Sequence, residues 1–206
     1  MKAIIRADFL CSYFYHAALT AKGQIMEQKL PQSLYYTITA LVLWQCVLES
    51  YINFLIHKRK LEDHLVEVGP AKARRPVRLI DASIRKKWIE LPIIVSGRHF
   101  KLNAESFNYF GQLVDLRNDL IHFNVERLTF EKDIPPDITT IDELRAWTGT
   151  GKYLAGTVFE KMVQFALAGE LIVKNMIREL HRLLGSKPPT FLDGSEAVLK
   201  VRIKKS

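Results

Sequence analysis

Arg117 and His122 stand in the run Leu116-Arg117-Asn118-Asp119-Leu120-Ile121-His122, and their side chains are of the types that handle phosphate and protons. A guanidinium is always charged and offers paired N–H donors to two oxygens at once; an imidazole gains and loses a proton near neutral pH. On a helix, Asn108, Gln112, Asp115, Asp119 and His122 recur at steps of four and three and form one polar stripe. Phe107, Phe110, Leu113, Val114, Leu120 and Ile121 take the other side. Arg117 falls in that apolar sector, about 140° around from His122 at roughly 100° per residue. A charge aimed at a core needs a partner, because an unpaired buried ion is costly.

The partner is expected on another helix. Gln45, Glu49, Asn53 and His57 step by four along an otherwise apolar run, which makes an internal polar ladder with Glu49 as the candidate for holding Arg117. On residue types alone the constellation reads equally as a helix–helix ion pair beside a surface histidine. The motif adds to this. The segment from Leu116 to His122 resembles the signature of the HEPN domain, an arginine followed by four to six residues and then a histidine, with a polar residue after the arginine, here Asn118. The setting is similar too, with an acid inside the apolar second helix and the motif near the end of a later one. The resemblance covers the arrangement from about Leu34 to Leu184, and its specific part is six residues long.

The resemblance implies a metal-independent ribonuclease of the kind found among toxins and antiphage effectors, or a relative that has lost activity and binds a protein or nucleotide. It makes His122 the general acid/base at the RNA 2′-hydroxyl or the leaving 5′-oxygen. Arg117 would stabilise charge on the phosphate, Asn118 would orient the pair, and Asp119 would support it. It further implies a homodimer that brings two motifs together, and an antitoxin protein as a possible partner.

The elements that must position these residues are helical. Periodicity predicts a helix from about Ile4 to Gln28, weakened at its far end by Gly23, and a second from Pro31 to about Lys60. Gly69-Pro70 and Arg75-Pro76 mark a basic linker, and a shorter helix covers Ala82 to Glu90 until Pro92 ends or bends it. Gly97 turns the chain, and Asn103 caps the helix that runs to about His122. The stretch from Glu131 to Thr140, with Pro135-Pro136, reads as loop; Thr140-Ile141-Asp142-Glu143 is a capping box for one short helix. A last long helix runs from about Tyr153 to Leu184 and stops at Gly185, Pro188 and Pro189. Val198, Leu199, Val201 and Ile203 fit either a short strand or a loose tail. The expectation is an all-α, up-and-down bundle of four to five main helices in a single domain, its core spanning about 4–184 and its basic tail 185–206.

Composition agrees. The chain has 206 residues, 48% hydrophobic and 25% charged, as in an ordinary soluble globular protein. The net charge of +8 is local: Lys58, Arg59, Lys60, Lys72, Arg74, Arg75, Arg78, Arg85, Lys86 and Lys87 face four acids in the same stretch. Such a surface attracts a polyanion and releases counterions on contact, or is simply a solvated helix end plus a loop; with the resemblance, these residues, Lys72 aside, are the expected RNA-binding patch. The apolar stretch Phe9 to Ala21 is interrupted by Asp8 and His16, and Leu30 to Leu48 carries Gln32, Ser33 and Gln45; neither suits a secretion signal or a membrane span. Cys11 and Cys46 read as packed thiols of a cytoplasmic protein.

Other signals are weaker. Thr148-Gly149-Thr150-Gly151-Lys152-Tyr153 lacks the first glycine and the Ser or Thr of a phosphate loop. His57 and His64 lack zinc spacing, so no metal and no cofactor is expected. Three functions compete: a ribonuclease, a non-catalytic HEPN-like binding or scaffold module, and an unrelated bundle whose basic linker touches nucleic acid. The intact Arg117, Asn118 and His122 favour the first.

Overall fold

The structure, a computed structural model, describes residues 2–4, 7–28, 32–70, 73–121, 133–149, 157–193 and 202–204. It is an all-α helical bundle. Among the described residues the helices are α1 (Ala7–Glu27), α2 (Gln32–Lys58), α3 (Ile84–Ser96), α4 (Glu105–Ile121), α5 (Ile141–Gly149) and α6 (Val158–Leu184). Two antiparallel ribbons accompany them, β1 (Lys2–Ile4) with β4 (Arg202–Lys204) and β2 (Leu65–Val68) with β3 (Arg75–Arg78). Contacts gather into two compact units, 1–14 with 46–111 and 172–206, and 15–45 with 112–171. The helices α1, α2, α4 and α6 each give a segment to both.

Several boundaries follow sequence chemistry closely. The Thr140 hydroxyl accepts from Glu143 N–H at 3.2 Å while the Glu143 carboxylate accepts from Thr140 N–H at 2.9 Å, the reciprocal capping box. Ser83 caps α3 by accepting from Lys86 N–H, and Gly97, at φ 69°, closes it in the left-handed conformation. The start of α4 falls at Glu105, two residues after Asn103.

Other expectations are corrected. Lys2–Ile4 are strand and α1 begins at Ala7; the undecided tail supplies the matching strand, with Ala3 opposite Ile203. The basic linker is a hairpin, with Val66 opposite Val77 and Glu67 opposite Pro76. Val66 is buried, and a two-stranded edge tolerates a proline that cannot donate. Pro92 lies inside α3, which continues to Ser96. Pro31 and His122 lie outside the described residues, as does most of the segment between α4 and the Pro135-Pro136 turn.

The first unit is centred on Trp88, which is fully buried against Phe100 and Phe110 with ring centroids 6.1 and 5.8 Å away. Along α2, Val47, Leu48, Tyr51, Ile52, Leu55 and Ile56 recur at helical spacing and are buried in the same unit. α2 is also long and apolar enough to cross a membrane by length and composition.

The second unit turns on Trp44. Its indole N–H donates to the Ala166 carbonyl at 2.9 Å, and Tyr15 meets it edge-on at 5.7 Å. A carbonyl in mid-helix is reachable because Gly169, one turn on, has no side chain; a Cβ there would run into the indole ring. Gly169→Ala should therefore destabilise the protein by about 1–3 kcal/mol, as overpacking does, although alanine is the better helix former. Urea unfolding measures it, and a more stable variant would contradict the packing.

Candidate functional site

Arg117 sits in the last turns of α4, one turn beyond Leu113 and Val114, which are buried in the second unit. That register explains its position: the helix delivers the guanidinium toward apolar surroundings. The residue is half-buried, and its Nε–H is shielded from solvent with no hydrogen-bond partner among the described residues. Nη1 donates to Asn118 Oδ1 at 3.2 Å. Among the described residues this neutral amide, not a carboxylate, is what the cation engages. Glu49, the expected partner, belongs to the first unit, where its charge acts on Lys87. Asp119 is half-buried on the same turn as Asn118, and His122 lies outside the described residues.

The polar ladder of α2 is real but answered differently. Gln45 is buried in the second unit, its Oε1 lacking a partner among the described residues. In the first unit Asn53 accepts from Lys87 Nζ at 2.9 Å, and His57 pairs with Glu62 at 2.7 Å. Lys87, expected on an RNA-facing surface, is 5% exposed and points inward from α3. Burial lowers its pKa, while the charges of Glu49 and Asp81 act the other way.

The rest of the expected basic patch is similarly thinned. Arg74 pairs with Glu67, Arg78 with Asp81 and Asp63, and Lys86 with Glu90. Arg85 donates to the Gly111 carbonyl. Lys58, Arg59, Lys60 and Arg75 are exposed and make no ion pair among the described residues. Lys60 closes α2 with a positive φ of 56°, where a glycine would be unstrained; holding a side chain there costs on the order of 1 kcal/mol. The Lys58 ammonium lies 5.7 Å from the Phe54 ring centroid.

A second constellation escaped the sequence. Tyr51 Oη and His181 Nε2 are 2.5 Å apart, and His181 Nδ1 is 2.8 Å from Ser186 Oγ. Tyr51 and His181 are buried, whereas Ser186 is exposed. Gly185, at φ 62°, turns the chain so that Ser186 N–H reaches the His181 carbonyl at 3.0 Å, a Schellman closure that brings the hydroxyl beside the ring. Burial, then the nearby Cys11 thiol, keeps the Tyr51 phenol protonated well above its ordinary range. Burial chiefly, with Lys58 and Arg59, lowers the pKa of His181. Gly185 signals the turn in the sequence; nothing there signals that α2 and α6 bring Tyr51 to His181.

Cys11 and Cys46 form no disulfide, and among the described residues no group of three His, Cys, Asp or Glu side chains is placed to hold a metal ion. Compared with protein-family models, curated proteins and solved structures, the chain matches none.

The His181 environment has a pH consequence. Because its folded pKa is depressed, the unfolded chain takes up the proton first as pH falls, so the neutral ring's contribution is complete above about 6.5 and is lost below it. Melting temperature should fall between pH 7 and pH 5, and His181→Gln, which cannot titrate, should flatten that fall. Identical slopes for the two proteins would contradict the buried neutral ring.

Proposed function

We propose that this chain is a HEPN-type, metal-independent endoribonuclease, acting as a toxin or antiphage effector in the cytoplasm. The observation that carries the reading is Arg117, a half-buried guanidinium whose Nε–H is shielded and, among the described residues, without a partner, and whose hydrogen bond goes to a neutral amide. A cation held this way is poorly compensated in the resting protein and is suited to an anion brought by a substrate. The motif resemblance names that anion: the scissile phosphate of RNA.

In this reading the Asn118 amide steadies the guanidinium from one side, leaving its remaining N–H groups to phosphate oxygens. As charge grows on those oxygens the interaction strengthens, which lowers the barrier. His122 takes the 2′-hydroxyl proton or protonates the leaving 5′-oxygen, so the products are a 2′,3′-cyclic phosphate and a free 5′-hydroxyl. Arg117 and His122 lie about 140° apart around an ideal helix, an awkward angle for one phosphate. A two-fold homodimer that sets one protomer's His122 beside its partner's Arg117 removes that difficulty, in an isologous contact.

The test separates chemistry from stability. His122→Ala and Arg117→Met should each lose cleavage by roughly 10²–10⁴-fold, while wild-type cleavage persists in EDTA. Arg117→Met should melt no lower than wild type, because it removes a charge that no carboxylate among the described residues pairs with. Full cleavage by a folded double variant would overturn the assignment.

A further inference from the structure

The direction of the protons in the Tyr51–His181–Ser186 chain follows from counting donors. A neutral imidazole carries one N–H, so only one of its two contacts can be a donation by the ring. Tyr51 is buried with its phenol protonated, and among the described residues its hydroxyl has no acceptor besides His181 Nε2. The phenol must donate there. The ring proton is then on Nδ1 and is donated to Ser186 Oγ. Ser186 Oγ accepts from the ring, and its own O–H stays available as a donor on an exposed residue. This excludes Ser186 as a nucleophile activated by His181, since no ring nitrogen is left to take its proton. It leaves a file of three donors, each polarising the next, that ends in one exposed hydroxyl.

The surroundings of that hydroxyl are cationic. Lys58 lies seven residues after Tyr51 on α2, nearly two full turns, and therefore on the same face. The charges of Lys58 and Arg59 reach the His181 ring, and Lys187 directly follows Ser186. On α6, Arg182 pairs with Glu179 and Arg178 with Asp193. Lys58, Arg59 and Lys187 make no ion pair among the described residues. Helix C-termini carry about half a negative charge each, which three full cations outweigh.

We propose that Ser186, presented by the Tyr51–His181 relay and flanked by Lys58, Arg59 and Lys187, is a seat for a backbone phosphate of RNA. The hydroxyl supplies a directed donor and the lysines and arginine supply the field. The ligand class rests on the ribonuclease reading, but the seat belongs to the first unit and needs no chemistry at Arg117. His181 and Tyr51 act through Ser186 and are positioning residues.

The experiment measures binding of a fluorescein-labelled 2′-O-methyl oligoribonucleotide, which cannot be cleaved for want of a free 2′-hydroxyl, to the full chain by anisotropy across salt concentrations. Ser186→Ala should weaken binding on the order of tenfold with the salt slope unchanged, since a hydrogen bond and no charge is lost. Lys58→Gln with Arg59→Gln should lower the slope by about two units. Tyr51→Phe should weaken binding in the direction of Ser186→Ala and add nothing to it in the double variant, because Tyr51 acts only through the Ser186 hydroxyl. If Tyr51→Phe fails to fold, ring ¹⁵N NMR of wild-type His181 replaces it: a protonated Nδ1 with a bare Nε2 supports the relay, and the opposite tautomer overturns it. Wild-type affinity in Ser186→Ala also overturns the seat. Loss of cleavage in Arg117→Met alongside unchanged Ser186→Ala affinity sinks the seat alone; normal cleavage in Arg117→Met with weakened Ser186→Ala binding sinks the nuclease reading alone.

Discussion

A guanidinium cannot be neutralised by giving up its proton, so a fold that draws one out of water must supply an anion or tolerate the cost. Arg117 is held in that condition by the register of α4, whose apolar residues Leu113 and Val114 lie on the same face one turn earlier. The helix must bury those residues, and burying them carries Arg117 along. A neutral amide at 3.2 Å is weak compensation for a full charge. Stability alone would be served as well by methionine. The arginine is therefore best explained by something it meets outside the resting protein, and the motif around it makes a phosphate the natural candidate.

Polar groups elsewhere follow a contrasting rule. Lys87 is more deeply buried than Arg117, yet it has Asn53 at 2.9 Å and the field of Glu49 and Asp81. Its ammonium is accommodated by side chains from the same unit, and it reads as structural. The two cations separate by their partners, not by their depth.

The sequence made helix existence legible because periodicity, capping chemistry and glycine stops are local. The Thr140–Glu143 box and the Gly97 and Gly185 stops needed only neighbours along the chain. The hairpin at Leu65–Val68 and Arg75–Arg78 was hidden because four-residue strands between prolines and arginines look like linker, and their stability comes from Val66 being covered by the unit. Pro92 does not end α3, because a proline within a helix is tolerated when packing over-determines the helix. At the site, the apolar placement of Arg117 was legible from angle arithmetic. Its partner was not, since Glu49 and Lys87 are joined by tertiary placement. Charge counting likewise could not distinguish the exposed Lys58, Arg59 and Arg75 from Arg74, Arg78 and Lys86, whose charges are met by nearby acids. The Tyr51–His181 contact joins residues 130 positions apart, beyond any local pattern.

On the proposed reading the shielded Arg117 Nε–H waits for a phosphate, and that proton can be observed directly. Proton–nitrogen NMR of the arginine side chains, assigned with Arg117→Lys, would follow its signal as a 2′-deoxy oligonucleotide is added. The account predicts that the Arg117 Nε–H resonance moves downfield and exchanges more slowly with water, saturating with the ligand. An unmoved Arg117 signal while the oligonucleotide demonstrably binds would contradict it.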